Sequence, residues 1–350
     1  MKESTFFSFF AAANGYSGFR SYFDEVFNPK IYTRIYILKG GPGTGKSTLM
    51  KSVYAHFKNT IPHSEAIYCS SDPNSLDGVI LKNEDVSIAI LDGTAPHEWD
   101  TRFPGAVDEI VNLGVGWDND WLKARREKII PLCEEKRNAY KTAYLHLRLS
   151  GEAHQAIRTS ETGKFDTQNA KIKIKTLAEL LSKTENPRKT TRLISAFGKG
   201  GFVKLDTLKK VSEKYIGIYG DTFATADFMN LLWNEIKFDR NAIRIPSPLD
   251  DATIEAIYFP DNKISIAVDE NAEELVCVND FYKSSKIEKE RSRVFRDTKA
   301  TYLSEAERWL KIASDLHSRL EDIYSEAMNF DINNEVEKQL IEDISKKMRS

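Results

Sequence analysis

Between Tyr36 and Met50 the chain reads Tyr-Ile-Leu-Lys-Gly-Gly-Pro-Gly-Thr-Gly-Lys-Ser-Thr-Leu-Met. Glycines at 40, 41, 43 and 45 neither extend a strand nor start a helix well, because their backbone freedom is lost in either. Before them stands a short unbroken apolar run, Ile35-Tyr36-Ile37-Leu38, the pattern of a parallel strand buried on both faces. After them Leu49, Met50, Val53, Tyr54 and Phe57 fall at helical spacing. The spacing predicts a strand, a glycine loop and a helix, and hence an α/β fold with a mostly parallel sheet.

The loop pattern is Gly40, four residues, then Gly45, Lys46 and Ser47, a phosphate-binding (Walker A) loop. Without a Cβ, Gly40, Gly41, Gly43 and Gly45 let backbone N–H groups close on a polyphosphate, and the helix start adds its positive dipole end. The expected nucleotide contacts are Gly40, Gly41, Pro42, Gly43, Thr44, Gly45, Lys46, Ser47 and Thr48. Lys46 reaches the β and γ phosphates, Ser47 ligates Mg²⁺, and Thr48 supports the loop. A second apolar strand, Val86 to Leu91, ends at Asp92, which is expected to share the Mg²⁺ with Ser47 and act with Lys46 in catalysis. In the loop that follows, His97 and Glu98 either orient an attacking water or acceptor hydroxyl, or serve only the loop's own hydrogen bonds. Ser70, Ser71 and Asp72, after the strand Glu65–Cys69, are either site groups or turn chemistry, and Ser75 is read as the cap of a short helix from Asp77 to Leu81.

Composition bounds the rest. Fifty basic against 52 acidic residues give no global drive toward nucleic acid or an anionic membrane. No apolar run is long enough to cross a bilayer. The patch Phe6 to Phe10 flows into Asn14-Gly15-Tyr16-Ser17-Gly18, which reads as a turn fixing the path into the loop strand and not as a secretory signal. Cys69, Cys133 and Cys277 match no zinc or redox spacing. The expectation is a cytoplasmic protein.

From Trp121 to Leu149 the chain is charged and helical in period, followed by a polar stretch near Thr159 to Asn169 and a helix from Lys171 to Ser182. Lys123, Arg125 and Arg126 form a phosphate lid or a solvated face. Asn186-Pro187-Arg188-Lys189 reads as a linker, dividing the chain into 1–185, with a helical appendage over 118–185, and 186–350, with a helical region over 280–350.

Beyond the linker the first half repeats. Ala196–Phe202 matches the Asn14–Phe19 turn, Tyr215–Gly220 the strand into Gly40, and Ile264–Val268 the strand before Asp92, all at an offset of roughly 180 residues. Aligned on Gly220, Ala226 stands at the place of Lys46 and Asp227 at that of Ser47, while Phe223 and Thr225 replace Gly43 and Gly45. A carboxylate repels phosphate and the Cβ atoms block close approach, so this copy is expected to bind none and to serve as a structural or regulatory partner. Glu270 is the expected counterpart of Asp92.

The tandem arrangement resembles a family of bacterial P-loop ATPases, often labelled only as ATPase or nucleotide kinase. The runs that carry the resemblance are Asn14–Phe19, Leu38–Thr48, Cys69–Pro73 with Ser75-Leu76-Asp77, and Asp92–His97. It implies a duplicated P-loop NTPase fold with helical appendages. That family tends to keep a working loop in its second half, and this chain departs from it there. Three functions follow: a Mg-dependent ATPase acting with a protein partner or between its halves, a kinase for a small-molecule or nucleotide acceptor, or a nucleotide-gated switch. An oligomer is compatible with each. ATP is favoured over GTP, because the nearest guanine-reading match, Asn262-Lys263-Ile264-Ser265, lacks its acid.

Overall fold

The computed structural model describes residues 5–283, 290 and 292–349. Its first sheet is built from β1 (Thr5–Phe10), β4 (Arg34–Lys39), β5 (His63–Tyr68), β6 (Leu76–Lys82), β7 (Ser87–Asp92) and β8 (Asp108–Asn112), in the order β1-β5-β6-β7-β4-β8. All pairs are parallel except those made by β6. Ile35 to Leu38 are at most 1% exposed, as the unbroken apolar run requires of a strand covered on both faces.

The second sheet uses β9 (Lys189–Thr191), β12 (Lys214–Tyr219), β13 (Ala242–Pro246), β14 (Ile254–Phe259), β15 (Ile264–Val268) and β16 (Glu274–Cys277). Its order, β9-β13-β14-β15-β12-β16, and its single antiparallel strand, β14, match the first sheet strand for strand. Each copy also carries a two-stranded hairpin, β2 (Ala12–Gly15) with β3 (Gly18–Ser21) and β10 (Ser195–Gly198) with β11 (Gly201–Lys204). The chain is a duplicated α/β structure.

Between the halves residues 182–188 form neither helix nor strand, and a shared core joins them as well. Phe9, Ile35, Ile37, Ile67 and Leu91 of the first sheet share one buried cluster with Ile245, Ala256, Tyr258 and Ala267 of the second. Phe10 and Leu193, equivalent residues, exchange both backbone hydrogen bonds at 2.8 and 3.0 Å, which marks a local two-fold relation. Arg192 crosses to Glu65 at 2.9 Å with both side chains about nine-tenths buried or more, and His63 completes the carboxylate's partners. Burial alone would raise the Glu65 pKa, but the Arg192 guanidinium and His63 hold it well below the usual carboxylate range.

The outer faces are covered by exchange. The loop helix Lys46–Phe57 packs on the first sheet beside Leu340 and Ile344 of the terminal helix Phe330–Arg349. On the second sheet, the helix Thr222–Ile236 packs beside Ala170, Ile174 and Leu177 of the helix Thr167–Ala178. Each repeat thus gives its last helix to the other repeat's sheet. The exchange is carried by two long arm helices, Arg126–Glu161 of 36 residues and Arg293–Glu326 of 34, each about 50 Å long. They lie antiparallel, with Ala143 and Leu147 against Ala306 and Leu310 at the middle. They are a bridge between the two halves, not appendages to either.

Two local expectations change. Leu76–Lys82 is a strand and not a helix capped by Ser75: Val79, Ile80 and Leu81 are fully buried between two neighbours, where β-branched and aliphatic side chains fit a pleated sheet. Gly78 is required there, since a Cβ would lie 2.5 Å from the Phe27 ring. The Asn14–Phe19 turn does not guide the chain into β4; it projects across the molecule, with Tyr16 N–H on Leu249 O at 2.9 Å and the Asn14 amide on Phe197 O at 2.9 Å. The charged edge strand β8 carries too weak an alternation to be seen in the sequence. No described helix is long and apolar enough to cross a membrane.

Candidate functional site

The loop between β4 and its helix has the conformation its glycines permit. Gly43 and Gly45 take φ of +67° and +83°. A Cβ on Gly40 would meet the Thr44 hydroxyl at 2.6 Å, and that hydroxyl donates to Gly41 O at 2.9 Å to hold the loop shut on itself. Lys46, Ser47 and Thr48 open the helix, so their N–H groups have no acceptor within it and lie at its positive end. The Lys46 ammonium donates to Gly40 O and Gly41 O, both at 2.9 Å, and lies 3.7 Å from Asp92.

Asp92 reaches Lys46 because β7 runs beside β4 with Leu38 opposite Asp92. Thr94 donates to its carboxylate through both its N–H (2.9 Å) and its hydroxyl (2.6 Å). Burial pushes the Asp92 pKa up, and Lys46 and Thr94 oppose the rise. Lys39 fixes the segment behind it by donating to Gly93 O and Trp99 O at 2.8 and 2.7 Å. Ser47 Oγ lies at the head of the helix and accepts the Leu76 N–H at 2.9 Å. A serine hydroxyl and one carboxylate beside a phosphate cradle form the donor set that Mg²⁺ uses when phosphates complete its shell. Among the described residues no group of three or more His, Cys, Asp and Glu side chains is arranged for a metal.

The other expected residues lie at varied distances from this centre. His97 is buried, stacked on Phe23 at 4.0 Å, with Nε2 3.2 Å from Asp77 and no partner for Nδ1. Asp77 in turn raises the pKa of Asp92, so His97 meets the site through Asp77. Glu98 and Thr48 are exposed, and Pro42 is half-buried. Lys123 pairs with Asp120, and Arg125 stacks on Trp121 at 3.3 Å; neither is turned to the loop. The Cys69 thiol is pushed well above its usual range by burial and Asp77, which makes it a poor nucleophile at neutral pH.

Trp117 of the same repeat packs on Gly41, and much of what else closes around the loop comes from the other repeat. The Glu321 carbonyl stands 2.5 Å from where a Gly43 Cβ would be, Tyr324 packs on Gly41, and Asn333 donates to Thr44 O at 2.7 Å. Lys136 of the first arm donates to His317 Nδ1 at 3.4 Å, and His317 Nε2 lies 3.6 Å from Glu321. Burial, Lys136 and then Lys46 push His317 down to about 4, so the ring is neutral at pH 7. Lys199, at the tip of the β10–β11 hairpin, reaches Asp72 at 3.5 Å. None of Lys136, Lys199, His317 and Glu321 was visible as a site residue in the sequence, since each is far along the chain from the loop. The one available signal was a second repeat within the arms, where Lys136 and Lys299, and His154 and His317, recur at one spacing.

At the second site Asp227 is bound to Arg158, and Phe223 lies against His154 and the Arg158 guanidinium at 5.8 and 5.7 Å. Strand register puts Val268, and not Glu270, opposite Ile218, where Asp92 stands opposite Leu38 in the first copy. No carboxylate occupies the equivalent position. No family model, curated protein or solved structure matches the chain.

Proposed function

We propose that the chain is a P-loop NTPase of the tandem family it resembles, binding Mg-ATP at Gly40–Ser47 and hydrolysing it, with the second half supplying walls of the site. The observation that carries this reading is the placement of Asp92 3.7 Å from the Lys46 ammonium, at the head of a helix that also presents Ser47. Lys46 exchanges its two loop carbonyls for phosphate oxygens, and the free N–H groups of the helix start hold the rest of the polyphosphate. Ser47 and Asp92 hold Mg²⁺, which when bound neutralises charge developing on the phosphates. Asp77, oriented by His97, is the carboxylate that takes a proton from the attacking water while the bond to the leaving diphosphate breaks.

The test follows the γ-phosphate of Mg-ATP with the purified chain, with and without a small-metabolite extract. Free phosphate in both, abolished in Lys46→Ala, is the expected result. Unchanged turnover by the Lys46 variant would overturn the assignment, and label moving into a new compound only with extract would make the protein a kinase.

A further inference from the structure

Phosphoryl transfer spreads negative charge over the γ-phosphate oxygens, and a site with one lysine leaves much of it uncompensated. In a single P-loop domain the remaining cation comes from the same domain or from a partner. Here Lys123 and Arg125 of the first repeat are engaged elsewhere, and its Lys136 is turned to His317. The second repeat, however, sends a lysine to the site.

Lys199 sits between Gly198 and Gly200 at a hairpin tip that crosses the two-fold relation. The approach is close and specific. A Cβ on Gly198 would lie 3.0 Å from the Ser70 carbonyl, so only glycine lets the tip seat on the Ser70–Asp72 segment. The Asn14 side chain fixes the hairpin from behind by donating to Phe197 O and accepting from the Tyr144 hydroxyl at 3.0 Å. Lys199 Nζ then lies 3.5 Å from Asp72, which accepts from Ser75 at 3.2 Å and from the Asn74 N–H at 3.3 Å. The residue after Ser75 is Leu76, whose N–H is on Ser47 Oγ. A short run of contacts therefore leads from Lys199 to the hydroxyl that opens the loop helix.

Glu321 backs Gly43 of the loop and lies 3.6 Å from His317, and both of these second-arm side chains feel the charges of Lys46 and Lys199. Lys136 stands beside them on the other arm. Lys199 is a little over one-third exposed on a flexible stem and is held by one long ion pair, so it is free to leave Asp72 for a stronger anion. Its counterpart at the second site is Tyr16, whose ring lies against His154, and no cation stands at that tip. The lysine therefore faces only the site whose loop retains its glycines.

We infer that Lys199 is the second phosphate-facing cation of the Gly40–Ser47 site, supplied across the repeat boundary to the γ-phosphate end of a bound nucleoside triphosphate. This rests on the nucleotide reading above. A diphosphate would not reach it, so Lys199 also tells ATP from ADP. The second repeat is then part of the working site, which accounts for its retention without a loop of its own.

The experiment uses the full chain and three measurements: affinity for ADP, affinity for a non-hydrolysable ATP analogue, and phosphate release from Mg-ATP. Lys199→Ala is expected to lower turnover ~100-fold and to remove the preference for the ATP analogue, with ADP affinity unchanged. Lys199→Arg keeps the charge and should recover most of both. Wild-type turnover and an unchanged ATP preference in Lys199→Ala would overturn the inference. So would equal weakening of ADP and ATP analogue together with a lower unfolding temperature, which would make the lysine a strut between halves. Failure of the nucleotide reading is distinct: the wild-type chain would bind neither nucleotide.

Discussion

The chain after β4 and the chain after β12 leave equivalent strands in equivalent sheets and then part. After β4 it stays open until Gly45 and begins a helix at Lys46. After β12 the helix begins at Thr222, four positions earlier in the aligned frame, with Asp221 capping it by accepting the Phe223 N–H at 2.9 Å. Residues that form an open glycine loop in one copy are a helical turn in the other. Phe223 and Thr225 cannot hold the positive φ of Gly43 and Gly45 without strain, and with Asp221 as cap they take helical conformation instead. The extra turn fills the place of the loop, and Phe223 and Arg158 occupy the space above it. The second copy's segment is a rebuilt one, further from the first loop in shape than its substitutions alone suggest.

Converting the first loop toward the second should have the largest effect. Gly43→Ala places a Cβ at positive φ and 2.5 Å from a main-chain oxygen of the second arm. A loss of about 2 kcal/mol in stability is expected, together with loss of nucleotide affinity. Thermal unfolding with and without Mg-ATP measures both; a variant that binds and unfolds as the wild type would mean that loop shape does not separate the halves.

A smaller effect tests what the halves still share. Lys299 donates to His154 Nδ1 at 3.3 Å as Lys136 does to His317, and both rings are pushed down to about 4, first by burial and next by their lysine. An unfolded imidazole near 6.5 takes up protons that the folded one refuses, so stability from this source is complete above 6.5 and falls as pH drops toward 4. His154→Asn and His317→Asn should each flatten that acid limb by a similar amount in pH-dependent unfolding. Very unequal changes would show that the arms are not equivalent in solution. Under the proposed function the raised Asp92 gives the same sign: Mg²⁺-dependent nucleotide binding, followed by titration across pH, is expected to weaken on acidification from above the ordinary carboxylate range.

The smallest effect expected is none. Ala226→Lys returns the lysine to its aligned place, yet that place lies inside a helix and beside the Arg158–Asp227 pair. Nucleotide bound by this variant on a Lys46→Ala background that silences the first loop, read by titration calorimetry, would show that the second loop needs only one residue.

Local pattern was enough for the loop, its strand and helix, the Asp92 strand and the duplication, because glycine spacing, apolar runs and repeats are properties of short segments. It failed at Leu76–Lys82, where two neighbouring strands and not the turn chemistry of Ser75 decided the conformation. It also gave no warning that His97 would be held behind Asp77, or that the helices read as appendages would be a paired bridge.

The sequence by itself determined one glycine cradle with its lysine, serine and distant aspartate, and one copy without them. Only the tertiary structure decided which side chains surround that cradle. The shared core, the crossed hairpins and the exchanged helices bring Glu321, Tyr324 and Asn333 to a loop from which they are separated by most of the chain, and bring Lys199 to Asp72. Contacts of that range follow from how two sheets bury their common face, and no local spacing encodes them.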